Sequence, residues 1–88
     1  MTVRSVTILN RAGIHARPAS MIVQTAQEFE SSIWIEKDDV KINAKSIMNI
    51  LTLGATYQSE LVLSAEGPDE EDAVAQLAGL FDNKFQED

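Results

Sequence analysis

The stretch VRSVTILNRAGIHARPASMIVQTAQEF (residues 3–29) changes its hydrophobic period partway along, and this change decides the fold. Apolar and polar residues alternate over Val3–Leu9, with Val6 and Ile8 on one face, as in a β-strand. From Ala16 onward the apolar residues follow helical spacing. Their stripe consists of Ala19, Ile22, Val23, Ala26 and Phe29. The sequence therefore predicts a strand followed closely by an amphipathic helix.

The start of this helix is marked by Pro18 and by the turn-forming segment Asn10–Gly13. Proline fits in the first turn of a helix, where its missing N–H has no intrahelical partner in any case. We therefore expect the helix to begin at about residue 16, with His15 at its N-terminal edge.

Two further strands are predicted after this helix by short alternating segments. Residues 33–36 turn both isoleucines inward, and residues 40–45 alternate apolar with polar side chains. Lys37–Asp39 between them is a predicted hairpin turn. The apolar residues of this alternation in the third strand are Val40, Ile42 and Ala44.

The rest of the chain predicts a short helix, a strand and a final helix. Ser46 before an apolar run, with Gly54 after it, is typical of an N-cap, a short helix and a C-cap. Leu61–Ala65 alternates as a fourth strand, and Asp69 is predicted to cap the last helix above an acidic first turn. The stripe of that helix is Ala73, Val74, Leu77, Leu80 and Phe81.

The resulting order is βαββαβα. Since each strand has one apolar face, the economical packing is a four-stranded antiparallel sheet with three helices on one face. This is the α+β class, and a length of 88 residues suits a single domain, 1–88.

Composition excludes several classes of function. A net charge of −7 argues against general binding to nucleic acid or to anionic membrane surfaces. The chain has no cysteine and one histidine, so we expect no disulfide, no metal site and no cofactor. No targeting or membrane-spanning segment is evident, and we expect a cytoplasmic protein. The acidity is concentrated in residues 66–88, whereas residues 1–30 are close to neutral and suit an anion.

The segment Gly13–Ala19 combines groups that suit phosphoryl chemistry. A helix N-terminus binds anions and disfavours a protonated imidazole, so we expect this position to bias His15 toward its neutral, nucleophilic form. Arg17 offers a guanidinium fork to an anion. Taken singly, His15 is most simply a loop or cap residue and Arg17 a solvated charge. Their joint arrangement favours an imidazole that accepts a phosphoryl group.

Two segments carry a resemblance to a known family. Gly13–Ala19, Gly-Ile-His-Ala-Arg-Pro-Ala, resembles the active-site signature of HPr, the histidine-containing phosphocarrier family of the phosphoenolpyruvate-dependent sugar phosphotransferase system. Asn43–Met48 resembles the regulatory serine signature of that family. The spacing of the two segments, the chain length and the order of elements also fit, so the resemblance covers essentially the whole chain.

The resemblance implies an open-faced β-sandwich and a covalent relay. His15 would accept a phosphoryl group from phosphorylated enzyme I on Nδ1 and pass it to a histidine of enzyme IIA proteins, serving sugar uptake. Arg17 and the backbone N–H groups of Ala16 and Arg17 would hold the group. Ser46 would be phosphorylated by the ATP-dependent HPr kinase/phosphorylase. The protein would be a monomeric carrier rather than an independent enzyme.

The short middle helix has apolar residues around most of its circumference, so part of it is predicted to be exposed. We expect Ile47, Met48 and Leu51 to form a docking patch for several partners. In the family, this helix and the histidine helix together meet enzyme I and enzyme IIA. Two positions depart from the family pattern: Asn49 stands where many relatives carry glycine, and Ala12 lacks the polar side chain that some relatives place near the histidine. The tail, 86–88, is acidic, and its relation to the site is left open.

Other functions remain as alternatives at this point. A mainly regulatory relative, in carbon or nitrogen control, would act by binding and through Ser46 phosphorylation. A carrier of a nitrogen-related phosphotransferase branch is also open. An acyl-carrier-like module would be small and acidic too, but it predicts a helix bundle, which the alternating strands disfavour. A metabolic enzyme is least favoured, since no paired catalytic carboxylates are present.

Overall fold

A computed structural model describes residues 1–87 of the chain, and its elements follow the predicted order. The strands are β1 (Thr2–Thr7), β2 (Ser32–Lys37), β3 (Val40–Asn43) and β4 (Glu60–Glu66). The helices are α1 (Ala16–Ala26), α2 (Ile47–Thr52) and α3 (Glu70–Asp82). A single turn, Lys84–Gln86, follows α3 and is called the C-terminal turn below. Asp88, the last residue of the predicted acidic tail, lies outside the described residues.

The four strands form one antiparallel sheet in the order β1-β4-β2-β3. Val6 lies opposite Leu61 and Ile33 lies opposite Ala65, which aligns the apolar faces of three strands. All four of these side chains are buried in one core together with apolar residues of the three helices. The predicted α+β fold, an open-faced sandwich of four antiparallel strands and three helices, is confirmed.

The opposite face of the sheet is less covered. Trp34 is half-buried there, and the Nζ atom of Lys41 lies 4.9 Å from the centre of its ring. A cation held over an indole face is a favourable contact. Trp34 and the Lys41 side chain of the neighbouring strand therefore cover part of the open face together. The outward position of Trp34 in its strand indicates the same role.

Several predicted boundaries were too long by one to three residues. Ile8 is fully buried but leaves the strand, because its N–H and C=O bond to Ser59 and Gln58 in the loop before β4. Phe29 packs on the core from a turn beyond the end of α1. Ala44 is buried just after β3, where its N–H bonds to the carbonyl oxygen of Ile33 at 3.0 Å. In each case the hydrophobic pattern predicts burial correctly but continues past the regular element.

The predicted capping role of Asp69 is wrong in one respect. Asp69 does occupy the N-cap position of α3, but its side chain makes no hydrogen bond to that helix. Its carboxylate instead accepts hydrogen bonds from the N–H groups of Glu30 and Ser31 and from the Ser31 hydroxyl. The Ser31 hydroxyl and the Glu30 N–H hold the pKa of Asp69 below its usual range. Asp69 therefore ties the start of α3 to the segment between α1 and β2.

The C-terminal turn was not predicted. Lys84, Phe85 and Gln86 all have positive φ angles, between 52° and 61°, a conformation that costs L-residues free energy. Phe85 is fully buried and meets Phe81 edge-on, with ring centroids 4.9 Å apart. Burial of a phenylalanine contributes roughly 1.5–3 kcal/mol, which offsets part of the backbone cost. The turn thereby carries the following residue, Glu87, back over the molecule.

Candidate functional site

His15 stands at the N-cap of α1 with its side chain 44% exposed. Its backbone is extended, and its side chain makes no capping hydrogen bond. The first N–H groups of a helix have no intrahelical acceptor. Residue 18 is a proline and has no N–H. The N–H groups without an intrahelical acceptor are therefore those of Ala16 and Arg17, which are both exposed residues. The imidazole thus lies beside two backbone donors that no cap satisfies.

The loop before His15 is fixed by contacts on both sides. Gly13 has a φ angle of +73°, and a Cβ atom there would lie 2.9 Å from the Ala55 carbonyl oxygen. The next N–H, that of Ile14, donates to the same carbonyl oxygen at 3.1 Å. The buried Asn10 side chain donates to the Gly13 carbonyl oxygen at 2.8 Å. A tight approach at Gly13 was expected from the sequence, and its partner is the loop after α2.

The tail closes over the site through Glu87. Its Oε2 atom lies 3.0 Å from Nε2 of His15 and 3.3 Å from Nη1 of Arg17. Its Oε1 atom accepts a hydrogen bond from Nδ2 of Asn10 at 3.1 Å. The same Nη1 atom of Arg17 donates to the Phe85 carbonyl oxygen at 2.9 Å. One carboxylate therefore contacts the histidine, the arginine and a buried amide together.

The charge state of Glu87 follows from these neighbours. Partial burial raises the pKa of Glu87, but hydrogen bonds from Asn10 and His15 and the contact with Arg17 outweigh it and lower the pKa overall. The carboxylate is therefore ionised at neutral pH and faces the Nε2 edge of the His15 ring. The imidazole nitrogen that remains for other chemistry is Nδ1.

The sequence predicts His15, Ala16 and Arg17 as site residues, and the structure brings them together. Asn10 and Glu87 also belong to this site but were not predicted. The tail was recognised as acidic without a location. A signal was present in Phe85, which follows Phe81 by four residues and so continues the apolar stripe of α3. A buried anchor at that position indicates that the tail folds back.

Ser46 lies at a different place from His15. It is the N-cap of α2, where its Oγ atom accepts a hydrogen bond from the Asn49 N–H at 3.3 Å, so the predicted cap is confirmed. Lys45 beside it is already bound, since its Nζ atom donates to the Phe29 carbonyl oxygen at 2.7 Å. This contact places the start of α2 at the far end of α1.

The helices α1 and α2 therefore pack side by side in opposite directions. The start of α2 meets residue 29 beyond the end of α1, whereas the loop after α2 meets Gly13 and Ile14 just before α1. The 11 residues of α1 span roughly 16 Å at 1.5 Å per residue. The structure thus separates Ser46 from His15 by about the length of a helix.

The apolar residues predicted on the outer side of α2 are exposed. Met48 is 68% exposed, Leu51 40% and Ile47 39%, whereas Ile50 is buried in the core. These three exposed residues are called the α2 patch below. Since α2 runs from the Ser46 end toward the His15 end, the α2 patch lies between the two. Asn49 is exposed on the same helix.

Residues 1–87 contain no cluster of three or more histidine, aspartate or glutamate side chains with the geometry to hold a metal ion. In this same part of the chain, no helix combines the length and the apolar character needed to cross a bilayer.

Comparison with known proteins gives a consistent result. Residues 2–83 match the family model for the PTS HPr component phosphorylation site. The chain is 50% identical over 88 residues, the full length of both chains, to a phosphocarrier protein HPr of Treponema pallidum. An HPr crystal structure from Thermoanaerobacter tengcongensis superimposes with a TM-score of 0.96 at 50% identity, covering 100% of this chain and 99% of that one.

A catabolite-repression protein of Bacillus subtilis, Crh, is also similar. It is 38% identical with a TM-score of 0.77, covers 96% of this chain and 97% of its own, and its crystal structure is described as an intertwined dimer with a swapped domain. The family match, the full-length identity and the close superposition agree with the histidine signature at the start of α1. The chain belongs to the HPr family of phosphocarrier proteins of the phosphotransferase system.

Proposed function

We propose that the protein accepts a phosphoryl group on Nδ1 of His15 from phosphorylated enzyme I. It then passes the group to a histidine of enzyme IIA proteins for sugar uptake. The observation that carries this proposal is the uncapped start of α1. There an exposed imidazole lies beside the free N–H groups of Ala16 and Arg17, which favour an anion.

In the acceptance step, the Nδ1 lone pair attacks the phosphorus atom and a P–N bond forms to His15. The bond from phosphorus to the donor histidine breaks at the same time, and the donor nitrogen keeps the electron pair. The transfer to enzyme IIA reverses these roles, with His15 as the leaving group. The N–H groups of Ala16 and Arg17 and the Arg17 guanidinium would hold the phosphoryl oxygens. No cofactor takes part in either step, and each needs a partner protein.

Partner docking is assigned to the α2 patch together with the start of α1. The α2 patch is an exposed apolar surface on the helix that packs against α1, and such a surface suits binding of several different proteins. We infer that one surface serves both enzyme I and enzyme IIA, so the carrier must leave one before it meets the other. A monomer suits this exchange of partners. The single core shared by the described elements supports one domain.

Regulation is assigned to phosphorylation of Ser46 by an HPr kinase/phosphorylase. A phosphate at the start of a helix is favourable, because it meets free N–H groups and the positive end of the helix dipole. Since Ser46 lies at the far end of α1 from His15, its phosphate acts on the docking of partners and not on the imidazole directly. Its added charge would stand next to Ile47 of the α2 patch.

A mainly regulatory function is the second candidate, and the similarity to Crh favours it. In that case the protein would act by binding after Ser46 phosphorylation, and phosphoryl transfer through His15 would be minor or absent. The two candidates differ in whether His15 turns over phosphoryl groups. A relay protein must accept and release them.

The deciding experiment is intact mass after incubation with phosphoenolpyruvate and enzyme I, before and after brief acid treatment. One added phosphoryl group that acid removes, and that His15→Ala lacks, is the expected result. Enzyme I is first shown to be active on a control acceptor. No added mass under those conditions would overturn the carrier proposal and favour the regulatory one. Addition of enzyme IIA should discharge the phosphorylated protein.

A further inference from the structure

The contact between Glu87 and His15 has a chemical consequence for phosphoryl acceptance. When Nδ1 attacks phosphorus, it loses its lone pair to the new P–N bond, and positive charge develops on the ring. The proton on Nε2 then shares this charge. A carboxylate 3.0 Å from Nε2 is placed to stabilise it, as a buried aspartate does for the histidine of a serine-protease triad.

We propose that Glu87 is a positioning residue that accepts the Nε2 proton of His15 in a hydrogen bond and thereby presents Nδ1 for attack. The proposal rests on the proposed function of His15. The carboxylate cannot turn freely, because Oε1 is held by Asn10 and Oε2 also contacts Arg17. Asn10 is fully buried, so its amide is a fixed support. The buried Phe85 holds the turn that leads to Glu87.

The arrangement sets both the tautomer and the orientation of the imidazole. Neutral histidine carries one proton, and the nitrogen that faces a carboxylate at hydrogen-bond distance is the protonated one. With that proton on Nε2, Nδ1 holds the lone pair. The Nε2 proton stays on His15 through the step, so no separate base is needed and charges balance between the imidazolium and Glu87.

The first test is direct and needs no phosphoryl chemistry. In the 15N NMR spectrum of neutral His15, Nε2 should show the shift of a protonated nitrogen and Nδ1 that of an unprotonated one. Glu87→Ala should shift both signals toward the average of exchanging tautomers. Glu87→Gln keeps an oxygen acceptor and should retain most of the wild-type pattern. Ring signals unchanged in Glu87→Ala would overturn the proposal.

The second test measures the rate of phosphorylation with two donors. With phosphorylated enzyme I, Glu87→Ala should lower the limiting rate roughly tenfold, the effect of losing one charge-assisted hydrogen bond, with the half-saturating concentration unchanged. Phosphoramidate, a small donor that needs no docking, should show the same slowing. Glu87→Gln should be slowed too, since it lacks the charge. Glu28→Ala removes an exposed carboxylate beyond the opposite end of α1 and should leave both rates unchanged.

The outcomes separate the two proposals. If phosphoramidate labels His15 but enzyme I labels neither the wild type nor the variants, the carrier function fails while the positioning role is still measured with the small donor. If Glu87→Ala reacts as fast as the wild type with both donors, the positioning role is overturned and the carrier function stands. A change confined to the half-saturating concentration for enzyme I would assign Glu87 to docking and also overturn the proposal. Thermal unfolding of each variant shows whether it is folded.

Discussion

The helices α1 and α2 start in opposite ways. At the start of α2, the Ser46 hydroxyl accepts a hydrogen bond from the backbone N–H three residues on, so this helix is capped by its own adjoining residue. At the start of α1, the His15 side chain turns away from the helix and toward Glu87, a residue 72 positions later in the chain. A local cap occupies one of the N–H groups at the helix start, whereas the uncapped start of α1 leaves its donors free at the point where the imidazole stands.

The two helix starts also differ in what they contribute: the start of α2 mainly stabilises the fold, whereas the start of α1 holds the reactive histidine. Ser46 already caps α2 before modification, so a phosphate there changes the surface more than the fold. The start of α1 depends on distant parts of the chain, namely the loop at Ala55 and the tail at Glu87. Changes that disturb these distant contacts should therefore affect phosphoryl transfer most.

The largest effect is expected from Gly13→Ala. A Cβ atom at residue 13 would lie 2.9 Å from the Ala55 carbonyl oxygen, and its φ angle of +73° is unfavourable for alanine. We expect a loss of about 2–4 kcal/mol in the free energy of unfolding, from strain and crowding together. Displacement of His15 should also slow phosphoryl acceptance by roughly a hundredfold. Chemical denaturation and single-turnover transfer measure the two effects.

Gly54→Ala is the matched control for this change. Gly54 also has a positive φ angle, +68°, but a Cβ atom there would meet nothing within 4 Å. The Gly54→Ala variant should therefore lose only about 1–2 kcal/mol in the free energy of unfolding, from backbone strain alone. Its rate of phosphoryl transfer should not change. Equal transfer rates in the two variants would show that the contact with Ala55 does not position His15.

A smaller effect is expected at the capped end, from Ser46→Asp. Aspartate is itself a good N-cap, so the fold should be retained. Its charge next to the α2 patch should slow acceptance from phosphorylated enzyme I about tenfold, because a charge introduced at a partner surface opposes docking. Stopped reactions analysed by mass measure the rate. The rate with phosphoramidate should not change, since that donor needs no docking.

Ser46→Ala separates capping from charge at the same position. It should cost about 1 kcal/mol of stability through the lost cap, with transfer from enzyme I unchanged. If Ser46→Asp slowed the phosphoramidate reaction as well, Ser46 would act on His15 itself and not on docking.

A more modest effect is expected from Met48→Ala in the α2 patch. Met48 is the most exposed of the three patch residues and contributes little to the core, so stability should be nearly unchanged. The half-saturating concentration of phosphorylated enzyme I should rise about fivefold, as for an ordinary interface residue, with the same limiting rate. Val40→Ala, which removes an equally apolar side chain that is 53% exposed on β3, is the control. A similar rise in the half-saturating concentration for the control variant would contradict the assignment of the α2 patch as the docking surface.

The same contrast explains what the sequence predicts and what it does not. Local patterns placed the start of α1, the cap at Ser46 and the exposed residues of α2, because hydrophobic period and capping chemistry act within a few residues. The contacts of Glu87 and Asp69 were not predicted, since each joins segments nearly 40 or more residues apart. Nothing local distinguishes these two carboxylates from the other acids of the C-terminal quarter. Their partners are set by tertiary packing.

The smallest effect is expected at the start of α3, where Asp69 binds the segment between α1 and β2. Its pKa is lowered in the folded protein, chiefly by the Ser31 hydroxyl and the Glu30 N–H, so its charged form stabilises the fold. This contribution is present at neutral pH, above the ordinary pKa of 3.8, and is lost as the pH falls through the lower folded value. Asp69→Asn should therefore be less stable than the wild type at pH 7, and the difference should shrink as the pH falls toward and below 3.8.

Thermal unfolding across this pH range measures the difference in stability, with Asp72→Asn, which changes an exposed acid in the first turn of α3, as the control. A difference that stays constant with pH would mean that Asp69 acts through its shape and not through its charge.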